Sequence, residues 1–200
     1  MLIHLADRRD IAIDYREPAP AAASPGKVLD AAGEVRRGPG SSALGWRASG
    51  VPGTVAGLAL AFEKYGSGRV TWSQVLEPAR RLAADGHVIT PYNASRARYA
   101  ARTLEPFPES RRIYLRDGLF WQPGDRWRQP ELAATLTRLQ QRGADDFYKG
   151  ETARRIAAAM AQNGGTLTLA DLVAYRPVAR TPARTAYRGH EVVTMPPSSS

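Results

Sequence analysis

Apolar positions along this chain change period several times, and each change predicts an element. Ile11 and Ile13 alternate with smaller or polar neighbours, which is the period of a half-buried strand. With residues 1–5 they predict a hairpin around a charged turn at residues 7–10. Asp14-Tyr15-Arg16-Glu17 ends the second strand, and Pro18 and Pro20 bar further ladder pairing. Residues 24–48 are rich in Gly, Ser and small residues and show no period, which predicts a loop with room for a short strand. Residues 52–64 predict a helix with Val55, Leu58, Ala61 and Phe62 on its buried face. Its glycines permit close packing at some cost in helix stability.

The next helix opens on Thr71-Trp72-Ser73-Gln74, a capping-box pattern, and stops at Asp85-Gly86. Leu76, Ala79, Leu82 and Ala83 make its apolar stripe. Thr90-Pro91, an N-cap before a first-turn proline, starts a helix that runs through Tyr99 towards Leu104. Residues 113–121 read as a small hairpin with Asp117-Gly118 at its turn. Helices follow over 130–142 and 150–163, the second stopped by Gly164-Gly165. Thr168 caps a short helix through Tyr175, and a last hairpin pairs 183–187 with 191–195 around Arg188-Gly189. Strands at both ends with mostly helices between predict an α+β chain, not an alternating parallel sheet.

Length, composition and charge change this picture little. The chain has 200 residues, which suits one domain. It has no cysteine, which excludes disulfides and thiolate metal sites. No apolar run approaches the ~18 residues a membrane helix needs. The net charge of +9 raises nucleic-acid binding as a function. The distribution argues against it. Arg111-Arg112 and Arg154-Arg155 are pairs and not runs, and no helix-turn-helix, zinc-finger or RNA-recognition signature is present.

Arg16 is the foremost candidate for chemistry. A guanidinium fixed at the end of a core strand can take a carboxylate in two parallel hydrogen bonds and never loses its charge. Read from the residues alone, an ion pair with Glu17 or Asp14 is the favoured explanation, since most arginines pair or solvate surface charge. Glu17 is read as supporting, either orienting Arg16 or pairing elsewhere. Tyr15 at the strand end reads as packing. Ser49-Gly50 and Pro52-Gly53-Thr54 read as a tight turn before a buried helix, because no phosphate-loop signature completes them. His4, His87 and His190 are isolated and lack metal-ligand spacing. Asp145-Asp146 reads as a turn, and the tryptophans read as core or interface. Ser198, Ser199 and Ser200 lack the His/Asp set a serine nucleophile needs.

Several short motifs, taken in order, resemble the gamma-glutamyltransferase (gamma-glutamyltranspeptidase) family. They are Asp14-Tyr15-Arg16-Glu17-Pro18-Ala19-Pro20 and Ser49-Gly50-Val51-Pro52-Gly53-Thr54-Val55-Ala56-Gly57, then Leu76-Glu77-Pro78-Ala79. Phe147-Tyr148-Lys149-Gly150, Asn163-Gly164-Gly165, Asp171-Leu172 with Tyr175, Tyr187-Arg188-Gly189 and Met195-Pro196-Pro197-Ser198-Ser199 follow. The resemblance implies the αββα sandwich of N-terminal nucleophile hydrolases, with the terminal hairpins in its central sheets and helices outside.

It also implies that the chain is an internal part of the large subunit, truncated at both ends. The threonine nucleophile would then lie in a small subunit cut from the same precursor, leaving no catalytic residue here. Arg16 would bind the alpha-carboxylate of the gamma-glutamyl group of glutathione or a related donor, with Glu17 in support. Water or an amino acid would be the acceptor. No metal or organic cofactor is implied, and the family's setting is periplasmic or extracellular. A related acylase of the same fold, or a non-catalytic binding or structural protein, are the competing readings.

Overall fold

The computed structural model describes residues 1–24, 26 and 29–197. Strand β1 (Leu2–His4) pairs antiparallel with β2 (Asp10–Asp14) across the charged turn, as the alternation predicts. Ala12 and Ile13 at the centre of β2 are wholly buried. Among the described residues, the loop that follows contains one bridge, between Leu29 and Val35, and ends in a helical turn at Trp46–Ala48.

Helix α1 (Thr54–Tyr65) buries Gly57 and Ala59 and leaves Leu58 43% exposed, so the predicted face is turned. The chain entering from β2 decides this, because its Tyr15 ring lies against Gly57. Helix α2 (Trp72–Asp85) has the predicted box: Thr71 Oγ1 accepts from the Gln74 amide, and the Gln74 side chain accepts from the Thr71 amide. Leu82 on α2 is 55% exposed, contrary to the predicted stripe. The packed side faces α6 (Pro130–Arg142) instead, where Trp72 Nε1 donates to the Leu139 carbonyl at 2.9 Å and Gln140 donates to Glu77.

Short strand β3 (His87–Val88) precedes α3 (Pro91–Tyr99) and α4 (Ala101–Leu104). The hairpin expected at 113–121 is absent. Its place is taken by α5 (Pro108–Leu115) and a helical turn at Arg116–Gly118. Pro108 sits in the first turn of α5, where its missing N–H costs nothing. Arg116 and Asp117 then turn left-handed, with φ of 51° and 52°, and the Phe120 amide donates back to the Leu115 carbonyl. Asp117-Gly118 therefore ends a helix instead of turning a hairpin. Strand β4 (Arg126–Trp127) pairs back on β3.

Helices α7 (Asp145–Tyr148), α8 (Glu151–Gln162) and α9 (Leu169–Ala174) complete the helical part. Asp145-Asp146 thus opens a helix instead of forming a plain turn. The Asp146 side chain is fully buried and accepts from Thr152 Oγ1 and from the Glu151 amide, so it caps α8. Arg138 and Arg142 lie 3.5 and 3.6 Å away. Burial works to raise the Asp146 carboxyl, but the Thr152 and backbone hydrogen bonds and Arg138 outweigh it and hold the group below its ordinary range.

Strand β5 (Val178–Arg180), unforeseen in the sequence, joins the other edge of β2, giving the order β1-β2-β5. The last hairpin, β6 (Ala183–Tyr187) with β7 (His190–Thr194), forms around Arg188-Gly189 as predicted. It leaves almost every residue exposed, and Arg184 ties it to Asp10 of β2 and to Glu191. One core cluster, comprising Val51, Tyr148, Ala153, Met160, Leu167, Leu172 and Tyr175, joins the start of α1 to α7, α8 and α9.

Candidate functional site

The site forms where β2 runs out of its ladder. The Asp14 carboxylate accepts the Arg16 amide N–H at 3.0 Å and Arg180 Nε at 2.7 Å. That pair of bonds turns the chain out of the sheet with a fixed exit, in the manner of an Asx turn. Residues 15–18 then cross the turn at 50–53, and the Val51 amide donates to the Pro18 carbonyl at 2.9 Å.

The crossing is possible because of three glycines. A Cβ on Gly50 would come within 2.8 Å of Glu17 Cγ. A Cβ on Gly53 would overlap the Tyr15 carbonyl and the Tyr175 hydroxyl, and one on Gly57 would overlap the Tyr15 ring. The Ser49–Thr54 turn is therefore more than a helix start: it is the bed on which Tyr15, Arg16 and Glu17 lie.

Above that bed opens a cleft of about 600 Å³ lined by Asp14, Arg16, Glu17, Ser49, Thr54 and Met160 among others. The Arg16 side chain is 54% exposed, and its Nε stands 4.0 Å from Glu17 Oε1. An ion pair so long and so exposed contributes at most about 1 kcal/mol. Glu17 lines the cleft beside Arg16. Tyr15 both packs, through its ring on Gly57, and lines the cleft.

Two tyrosines hold the bed from below. Tyr148 donates to the Pro52 carbonyl at 2.8 Å and accepts from the Ala56 amide at 3.1 Å. Tyr175 stacks on it, with ring centroids 5.6 Å apart and planes 13° from parallel. The Tyr175 hydroxyl donates to the Arg16 carbonyl at 3.2 Å. Burial, then the fields of Tyr148, Asp14 and Glu17, push the Tyr175 hydroxyl up to about 12. It stays protonated, and a donor, at any physiological pH.

Sequence reasoning singled out Arg16 and Glu17 but missed the supports: Asp14, the glycine bed, Tyr148 and Tyr175. The spacing of Gly50, Gly53 and Gly57 at the start of a helix was the one signal available, since it clears a single face for close backbone approach. The three histidines stay apart: His4 Nδ1 lies 2.7 Å from Asp10, His87 packs edge-on to Trp127, and His190 is exposed. Among the described residues no group of three His, Asp or Glu side chains could hold a metal ion. No described helix is long and apolar enough to cross a membrane. Ser198, Ser199 and Ser200 lie outside the described residues.

Comparison with known proteins extends over the whole chain. The chain is 40% identical over 203 residues to the glutathione hydrolase proenzyme of Escherichia coli (strain K12), covering 100% of this chain and 34% of that protein. It is 34% identical over 202 residues to the Acylase ACY 1 proenzyme of Pseudomonas sp. (strain SE83), covering 99% of this chain and 36% of that one. Its fold superposes on the crystal structure of Helicobacter pylori gamma-glutamyltranspeptidase with a TM-score of 0.94 at 36% identity, covering all of this chain and 56% of that chain. The chain thus spans about a third of the length of the curated relatives it matches. The mixed helix-and-sheet fold is the one expected from the motifs. The Gamma-glutamyltranspeptidase family profile matches residues 1–200, and the chain belongs to that family.

Proposed function

We propose that these 200 residues form the donor-carboxylate side of a gamma-glutamyltransferase, an internal part of its large subunit. The whole protein transfers or hydrolyses the gamma-glutamyl group of glutathione and related compounds. A threonine oxygen from the small subunit of the same precursor attacks the gamma-carbonyl and the amide bond breaks. The leaving amine takes a proton, and water or an amino acid then attacks the acyl-threonine ester. Division into two acyl transfers lowers each barrier.

This chain's own task is recognition. The observation that carries the reading is Arg16 at the rim of an open cleft, with its backbone N–H and C=O each bound by a side chain. A guanidinium so placed matches the two oxygens of an alpha-carboxylate. Glu17 stands near enough to limit the swing of Arg16.

The acylase relative supports a second reading, an acylase acting on another amide whose substrate bears a carboxylate. Arg16 would serve either donor. The alpha-ammonium separates them: a gamma-glutamyltransferase loses its donor when that group is acetylated, and an acylase for other amides does not need it.

The test uses the full-length protein that carries these residues. Arg16→Lys keeps the charge without the fork, and Arg16→Gln loses both. A charge-assisted bond of about 1.5–3 kcal/mol corresponds to a loss of roughly ten- to hundredfold in kcat/KM on a gamma-glutamyl anilide, larger for Gln. An anilide lacking the alpha-carboxylate should react poorly with the parent and lose little more in the variants. Equal losses on both anilides would overturn the assignment of Arg16.

A further inference from the structure

Arg16 is a long side chain on backbone that belongs to no strand or helix. A two-pronged grip on a carboxylate tolerates little drift of that backbone, because ~0.5 Å of looseness already spoils a binding constellation. The side chains holding the Arg16 peptide are Asp14 on its N–H and Tyr175 on its carbonyl. Asp14 is a local contact within the same strand end. Tyr175 comes from 159 residues further along the chain, at the end of α9, and is only 7% exposed.

The placement of the Tyr175 hydroxyl is not a by-product of packing. The ring's apolar share of the core is met by its stack on Tyr148 and its place in the cluster around Leu172. A phenylalanine would supply that. The oxygen instead projects between the Arg16 carbonyl and the Cα of Gly53, where no side chain beyond hydrogen fits. Its stacking partner Tyr148 is itself tied to the Pro52 carbonyl and the Ala56 amide. The two phenols thus connect Arg16 to the first turn of α1, so that the guanidinium and the cleft wall at Ser49–Thr54 keep one spacing.

We propose that Tyr175, braced by Tyr148, is a positioning residue that sets the Arg16 guanidinium for the donor carboxylate. The proposal rests on the reading of Arg16 given above. Tyr175 touches no substrate; its effect reaches the donor only through the Arg16 backbone.

The test is a kinetic cycle on the full-length protein, with the gamma-glutamyl anilide and the anilide lacking the alpha-carboxylate as donors. Tyr175→Phe should raise the KM of the first about three- to tenfold, the worth of one neutral hydrogen bond, and leave kcat unchanged. The second donor should be unaffected. In an Arg16→Gln background, Tyr175→Phe should have no further effect. p-Aminophenylalanine at position 175, which keeps an N–H donor there, should restore the KM. An equal KM increase for both donors, an additive effect on Arg16→Gln, or no rescue by the p-amino side chain would overturn the proposal. So would a Tyr175→Phe protein that fails to fold, since the hydroxyl would then be a folding group. If Arg16→Gln alone fails to distinguish the two donors, the carboxylate reading of Arg16 is what has failed. If it distinguishes them and Tyr175→Phe does not, only the positioning role falls.

Discussion

Asp146 offers the sharpest stability test, because every partner of its buried carboxylate is known. Asp146→Ala removes the acceptor of the Thr152 hydroxyl and of the Glu151 amide, the cap of α8. It also leaves Arg138, only 18% exposed, without the carboxylate 3.5 Å away. The Thr152 bond is worth about 1.5–3 kcal/mol as a bond to a charged group. The lost cap adds about 0.5–2 kcal/mol. Arg142 is 61% exposed and adds little.

These contributions share atoms and do not simply add, so about 3 kcal/mol is expected, near the lower end for breaking a buried charged pair. Native-state hydrogen exchange reads it locally: amides of residues 151–162 should lose roughly hundredfold protection in Asp146→Ala. Asp146→Asn keeps an acceptor oxygen and should lose less.

The sign with pH follows from the lowered carboxyl. Its folded pKa lies below the ordinary value of 3.8, so its stabilisation is complete above that value and is lost as pH falls through the folded pKa. The gap between parent and Asp146→Asn should be constant near neutrality and close below about pH 4. A gap that persists in acid, or unchanged α8 protection in Asp146→Ala, would refute the argument that the charge caps and anchors α8.

Two further outcomes follow from the same packing. Gly57→Ala drives a methyl group into the Tyr15 ring, so overpacking should cost about 1–3 kcal/mol in thermal denaturation and also raise the donor KM; a neutral substitution would mean that Tyr15 does not rest on α1. Thr168→Ala removes one half of the box with Asp171 and should weaken α9 by about 1 kcal/mol, read as faster exchange over residues 169–174 with α2 unchanged.

The sequence carried the elements whose signals are local. The capping box at Thr71, the cap at Thr168, Thr90-Pro91 and the Arg188-Gly189 turn are each decided within a few residues, and each lies where it was expected. Asp117-Gly118 misled because left-handed residues end helices as well as turn hairpins. The faces of α1 and α2 were set by partners distant in sequence: Tyr15 on Gly57, and α6 on Trp72. The candidate site divides in the same way. Arg16 was singled out through the Asp14–Pro20 motif, because the residues alone favoured an ion pair with Glu17 or Asp14. Its supports were not, because the bond from Tyr175 exists only once α9 has docked against the start of α1.

The central claim is that Arg16 grips the alpha-carboxylate of a gamma-glutamyl donor. A crystal structure of the full-length protein with a gamma-glutamyl compound bound tests it most directly. The account predicts two Arg16 guanidinium nitrogens at about 2.7–2.9 Å from the two oxygens of that carboxylate, in the cleft beside Glu17 and Ser49. A carboxylate seated outside this cleft, with Arg16 turned onto Glu17 and no contact to the ligand, would contradict it.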